Sequence, residues 1–290
     1  MTSHKSEFIL NPDGSVYHLA LKPEDIAKTV IFVGDPYRVE SVSQYFDKIT
    51  FKTQKREFKT HTGVYKNKKL SVISTGIGVD NIEIVLQELD ALFNVDFKTK
   101  KVKTELTKLN IIRIGTSGAI QKDISVNSFL LSQKALDINS TLQFYDLKTP
   151  HQHPFLCAFK RHLNWKSTNA EPKLISNSKD LETVFSSPSM LKGITVTAPG
   201  FYAPQGRSIR LVPKYKNLIE SLSTFKHLDK TLTNIEMETS AIYGFSELLG
   251  HRAISLNAIL ANRISGEFSD HPEHTIDALI NYTLEKIVFL

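Results

Sequence analysis

Short runs of apolar and β-branched residues, bounded by Gly, Pro or Asp, recur along the chain at residues 29–33, 70–74, 111–114, 129–131, 194–197 and 253–260. Their length and boundaries predict buried strands. Between them the apolar positions change to helical spacing, at Ile82, Val85, Leu86, Leu89 and Leu92, then at Met237, Ala241, Phe245, Leu248 and Leu249, and last at Ile276, Leu279, Ile280, Leu284 and Ile287. A shorter set, Val39, Val42 and Phe46, follows the first strand. Strand and helix alternate throughout, which predicts a layered α/β domain with helices on both faces of a largely central sheet. One continuous domain over residues 1–290 is expected, with residues 1–16 as an N-terminal extension. Residues 94–109 break the pattern, with five lysines against Asp96 and Glu105 and almost no apolar stripe. They read as a solvated excursion at the end of a helix; the alternative, a basic recognition patch, lacks aromatic residues other than Phe97.

Composition narrows the partners. The hydrophobic share of 41% is enough for a full core, and 36 basic against 30 acidic side chains leave a net charge of +6. That surplus is too small to require nucleic acid or a membrane, and it suits a small anionic ligand. The single cysteine, Cys157, rules out an intramolecular disulfide framework and a four-thiolate zinc site. It reads as a small buried hydrophobe in a chain of the reducing cytoplasm. No run approaches the 18–20 apolar residues a membrane span needs (about 20), and the first fourteen residues carry no secretory apolar core. The pairs His151/His153 and His271/His274 have metal-compatible spacing, but each sits beside a proline with no third ligand nearby. The second pair reads instead as part of a loop, residues 264–274, able to close over a site.

Five constellations carry candidate chemistry. Gly34-Asp35-Pro36-Tyr37-Arg38 joins a strand to a helix, either as a plain βα turn with a surface arginine or as an anion site of bare N–H groups and a guanidinium. Ser74-Thr75-Gly76-Ile77-Gly78 closes another strand, and Asn81 stands where a dinucleotide fingerprint would need its third glycine, which argues against a nicotinamide cofactor. In Arg113-Ile114-Gly115-Thr116-Ser117-Gly118 an arginine lies within a strand, so it must meet a carboxylate or an anionic substrate. Glu236-Met237-Glu238 opens a helix, where carboxylates serve the helix dipole or accept vicinal hydroxyls such as those of a ribose. Phe201-Tyr202-Ala203-Pro204-Gln205-Gly206-Arg207 combines an aromatic face, an amide and a guanidinium, which suits a flat heterocycle bearing carbonyls.

Together with Arg56-Glu57-Phe58 and Asn262-Arg263, and in this order, these segments resemble the motifs of the nucleoside phosphorylase superfamily of the hexameric bacterial type, nearest to its uridine phosphorylases, from about Tyr17 to the C-terminus. The resemblance implies a single-domain, three-layer α/β/α fold with a central mixed sheet. It implies reversible phosphorolysis of uridine to uracil and ribose 1-phosphate, with inorganic phosphate as co-substrate and no organic cofactor. Phosphate would be held by Gly34, Arg38, Arg113 and Thr116, with Arg56 reaching in from a neighbouring subunit. Ribose would meet Met237, Glu238 and the neighbour's His18. The base would stack on Phe201 and be read by Gln205 and Arg207, with Arg263 supporting Arg207. Arg38, Arg113, Thr116, Arg207 and Glu238 would form the catalytic set, in an assembly that shares its sites across a dimer interface.

Purine-cleaving relatives carry an aspartate near the Arg263 position; its absence here points to uracil. A purine nucleoside phosphorylase, a nucleosidase of the same fold and a non-catalytic nucleoside-binding protein are the alternatives. Family members can hold a monovalent cation, K+, at the dimer interface, at positions that are Glu57, Ile77 and Asn81 here; Asn81 replaces the family's serine. The stretch Gly78-Val79-Asp80-Asn81 and the 94–109 excursion also depart from the family pattern, and both bear on subunit packing.

Overall fold

The computed structural model describes residues 6–148, 153–166 and 168–290. In chain order the elements are β1 (Thr29–Val33), α1 (Pro36–Ser43), β2 (Lys48–Lys55), β3 (Phe58–Tyr65), β4 (Lys68–Ser74), α2 (Val79–Asn94), β5 (Val95–Asp96), β6 (Lys101–Val102), β7 (Asn110–Ala119), β8 (Phe129–Asp137), α3 (Pro154–His162), β9 (Lys173–Ser176), α4 (Lys179–Phe185), β10 (Met190–Thr197), α5 (Leu218–Thr224), β11 (Lys226–His227), β12 (Lys230–Glu236), α6 (Thr239–Leu249), β13 (Arg252–Asn262) and α7 (Pro272–Ile287). One eleven-stranded mixed sheet runs β11-β12-β10-β8-β13-β7-β1-β4-β3-β2, with β9 paired to β8. β12 also pairs antiparallel with β7, through Asn234 opposite Ala119 and Ile235 opposite Gly118. That pairing closes β7, β13, β8, β10 and β12 into a ring, and it brings the end of β12 to the end of β7.

The layers follow from alternation within strands covered on both sides. In β1, Val30 and Phe32 join the core under α2 and α6, while Ile31 and Val33 join the core under α1, α4 and α7. A third cluster, built on Phe155, Phe159, Leu222 and Phe225, seats α3 and α5. The predicted strands are all present, and all but β1 run further than their apolar stretches, β8 by six residues to Asp137 and β10 by four from Met190. β7 continues through Gly115-Thr116-Ser117-Gly118, which is therefore a segment of strand and not a turn after one. β13 reaches Asn262 with a bulge between Ile259 and Ala261. The β2–β3 hairpin, β9 and β12 lacked a readable apolar run.

The lysine-rich excursion folds as the small β5–β6 hairpin. Its lysines are mostly exposed, yet Phe97 packs edge-on against Phe8 at 5.2 Å and the Lys100 ammonium donates to the Phe8 carbonyl, so it clasps the N-terminal segment. Cys157 on α3 is only partly buried, a departure from the expected core position. His271 caps α7 and His274 lies in its first turn, so the loop facing the site spans residues 263–271 and ends before His274. His153 caps α3, and His151 lies outside the described residues. Among the described residues no helix is long and apolar enough to cross a membrane.

Candidate active site

A cleft of about 780 Å3 opens where the ends of β1, β4, β7, β12 and β13 converge. At one end Gly34 leaves β1, and Asp35 caps α1 by accepting the Tyr37 N–H at 2.9 Å, with Pro36 in the first helical position. Proline there forfeits no hydrogen bond and presets the helical φ. The short helix start sends Arg38 into the cleft, where burial, and then the neighbouring Arg113, push its guanidinium below the ordinary arginine range. Thr116 lines the same end.

Arg113 is the buried centre. Its side chain is 8% exposed and folds back along β7 over Gly115, the residue two positions on and therefore on the same face. Nη2 donates to Glu238 at 2.6 Å and lies 3.1 Å from Glu236, while Nη1 donates to Asn257 at 2.9 Å. The sequence left Arg113 a carboxylate or an anionic substrate; the free protein supplies two carboxylates. Burial alone would lower its pKa, but Glu236 and Glu238 more than reverse this, so the guanidinium stays charged.

The two glutamates differ in freedom. Glu236 accepts from the N–H groups of Glu238 and Thr239 at the start of α6 and from the Thr197 hydroxyl at 2.7 Å, so its carboxylate is fixed. Among the described residues Glu238 has two bonds, one to Arg113 and one from the Gly78 N–H at 2.8 Å. Burial, with the Glu236 charge adding to it, pushes the Glu238 carboxyl upward against the pull of Arg113. Sequence reasoning offered Glu236 and Glu238 the same two roles; the surrounding donors separate them.

The other end is the turn after β10. Gln205 is buried there, and its amide oxygen accepts from Arg207 Nη1 at 2.6 Å. The same nitrogen donates to the Phe201 carbonyl at 2.8 Å, and the guanidinium carbon sits 3.8 Å over the Phe201 ring. One face of Phe201 thus carries Arg207 already, and only the other is open to a flat ligand. Burial, then the charge of Arg263, lower Arg207 to about 10. Arg263 is held half-buried beside it, with one Nη atom buried and without a hydrogen-bond partner among the described residues. Ile235, Leu260, Ala261 and Phe268 make an apolar wall that no motif had flagged. Leu260 and Ala261 both face the cleft although they are adjacent, because the β13 bulge re-aims one of them.

Gly34, Arg38, Arg113, Thr116, Phe201, Gln205, Arg207, Met237 and Glu238 line this one cleft. Arg56, His18 and Arg263 do not. Arg56 is exposed at the β2–β3 turn, in the left-handed region at φ 55°, while its neighbour Glu57 lines the cleft. The His18 ring is bonded to Glu88 of α2 at 2.7 Å, with its backbone N–H on the same carboxylate. Glu57, Ile77 and Asn81 meet at the rim. Among the described residues no three His, Cys, Asp or Glu side chains gather in a way that could hold a metal ion.

The sequence profile described as the phosphorylase superfamily matches residues 28–283. The chain belongs to the phosphorylase superfamily. Within it, this phosphorylase is 30% identical over 259 residues to a uridine phosphorylase of Thermococcus kodakarensis, covering 88% of this chain and 80% of the relative. It is 28% identical to a uridine phosphorylase of Haemophilus influenzae, covering 94% of each. A DeoD-type purine nucleoside phosphorylase of Buchnera aphidicola is 26% identical, covering 94% of this chain and all of the relative. Among solved structures, a Trypanosoma brucei nucleoside phosphorylase described as showing uridine phosphorylase activity superposes with a TM-score of 0.87 at 28% identity, over 98% of this chain and 100% of that one. The superfamily fold thus extends over nearly the whole chain.

Proposed function

We propose that this phosphorylase cleaves uridine, exchanging uracil for phosphate at the ribose C1′ in the cytoplasm. The observation that carries the reading is a single cleft with guanidiniums at both ends and a carboxylate between them: Arg38 and Arg113 at one end, Glu238 in the middle, and Arg207 with Gln205 at the other. Breaking the N-glycosidic bond builds positive charge on the sugar and negative charge on the departing base, so the site needs an anion beneath the sugar and donors around the base. Phosphate, held by Arg38, Arg113, Thr116 and the Gly34 turn, supplies the anion. One of its oxygens bonds to C1′ as the C1′–N1 pair leaves with uracil, and solvent protonates the released ring. Arg207 and Gln205 hold the pyrimidine carbonyl edge where the leaving charge collects, with Arg263 behind Arg207. Met237 and Glu238 seat the ribose. Arg56 and His18, outside their own cleft, complete the site of a second copy of this chain. Closure of the 263–271 loop, which carries Phe268, excludes water and favours phosphorolysis over hydrolysis.

A monovalent cation at Glu57, Ile77 and Asn81 fits poorly here. The Asn81 amide donates to the Ile77 carbonyl at 3.4 Å, so the oxygen that would ligate the ion faces a donor. No step is routed through it.

The test follows uridine absorbance with and without inorganic phosphate, with inosine in parallel. Phosphate-dependent loss of uridine is expected. Phosphate-independent cleavage would make the protein a nucleosidase, faster inosine turnover a purine enzyme, and binding without turnover a carrier.

A further inference from the structure

The guanidinium assigned to phosphate has its terminal donors committed within the chain. Arg113 Nη1 serves Asn257 at 2.9 Å and reaches Ser255 at 3.4 Å, and Nη2 is shared by Glu238 and Glu236. Nη2 carries two N–H bonds, and Glu238 at 2.6 Å and Glu236 at 3.1 Å already face them, so a phosphate dianion there would be a third anion on a buried nitrogen with no N–H left to donate. Glu236 cannot be the one to yield: two backbone N–H groups and the Thr197 hydroxyl hold it. Glu238 can. Besides Arg113 it holds, among the described residues, only the Gly78 N–H, and the cleft lies in front of it. One of its oxygens accepts from Arg113 and the other from Gly78, which turns the carboxylate toward the guanidinium.

Resting on the reading above, we propose that Glu238 is a shared latch between the two substrate sites: paired with Arg113 it occludes the phosphate donor, and swung onto ribose hydroxyls it releases that donor. Glu236 and Asn257 keep Arg113 charged and in place when the latch opens. Phosphate and nucleoside each draw on the same displacement of Glu238, so each lowers the cost of binding the other, and linkage makes the coupling equal in both directions. A residue assigned to ribose thereby competes with phosphate for the same guanidinium.

The experiment titrates inorganic phosphate calorimetrically into the wild type and into Glu238→Gln, in the absence of nucleoside. The amide keeps the shape and removes the competing charge. Glu238→Gln is expected to bind phosphate at least about fivefold more tightly than wild type, although its turnover of uridine falls. Unchanged or weaker phosphate binding by the folded variant overturns the latch and leaves the proposed activity standing; no phosphate binding by either protein overturns both. Should the variant fail to fold, the wild type decides. Pseudouridine, whose C–C glycosidic bond phosphate cannot cleave, is expected to tighten phosphate binding at least about fivefold, and no tightening overturns the latch.

Discussion

Arg113 and Gly115 lie two positions apart on one face of β7, and the arginine side chain occupies the space a Cβ at 115 would take. Such a Cβ would stand 1.8 Å from Nη1 and 2.3 Å from Cζ. The obstacle is the far end of a flexible side chain, so Gly115→Ala is expected to fold and to push the guanidinium off its station. Steady-state kinetics should show kcat/KM for phosphate lowered about 100-fold, the scale of a misplaced catalytic group, with uridine KM changed far less. Near-normal phosphate kinetics would remove Arg113 from the phosphate site. Arg113→Ala is a poorer probe, since it leaves Glu236 and Glu238 buried without their counter-ion, at a cost of about 3–5 kcal/mol. At this scale the sequence was legible wherever a polar residue interrupts an apolar run. Arg113 was flagged on that ground, and Asn257, its partner within 253–260, gave the same signal unread. The division of labour between Glu236 and Glu238 was not legible, because it depends on which N–H and hydroxyl groups surround each carboxylate.

Elements with a strong period, α2, α6 and α7 among helices and β1, β4 and β13 among strands, follow their apolar positions closely. The β2–β3 hairpin escaped because its burial is polar: Thr60, His61 and Thr62 are all buried in β3. Two of them are satisfied laterally, the His61 ring by the Ser43 hydroxyl of α1 at 2.7 Å and Thr62 by Ser71 of β4, while the buried Thr60 hydroxyl meets no partner among the described residues. Burial, then Lys52 and Lys59, lower His61 from 6.5 to about 4. The unfolded chain therefore takes up the proton first as pH falls. The contribution of neutral His61 to the α1–β3 junction is full above about 6.5 and is lost progressively as pH drops toward about 4. Denaturant midpoints of wild type and His61→Asn, compared at pH 7.5 and at about pH 4.5, should converge on acidification. A difference that stays constant with pH would show that the ring's titration does not bear on this junction.

For the whole molecule, the cleft is lined by the residues expected from one chain except Arg263, which stands beside Arg207, and omits Arg56 and His18, the two expected from another. Mixing subunits tests this directly. Arg38→Ala chains and Arg56→Ala chains, each nearly inactive alone, should recover about a quarter of wild-type activity after denaturation and refolding together, because a random mixture pairs half its chains across type and each mixed pair keeps one intact site. No recovery would mean that Arg56 acts within its own chain or not at all. The sequence by itself determined the layers, the single domain and the positions of the glycine turns that line the cleft, since hydrophobic period, glycine turns and a charge inside an apolar strand are local properties of the chain. Only the tertiary structure decided which carboxylates Arg113 meets. Glu238 is 125 positions away and reaches it because β12 pairs back onto β7 and closes the strand ring. That closure is a matter of register, bulge and chain return, none of which leaves a period in the sequence.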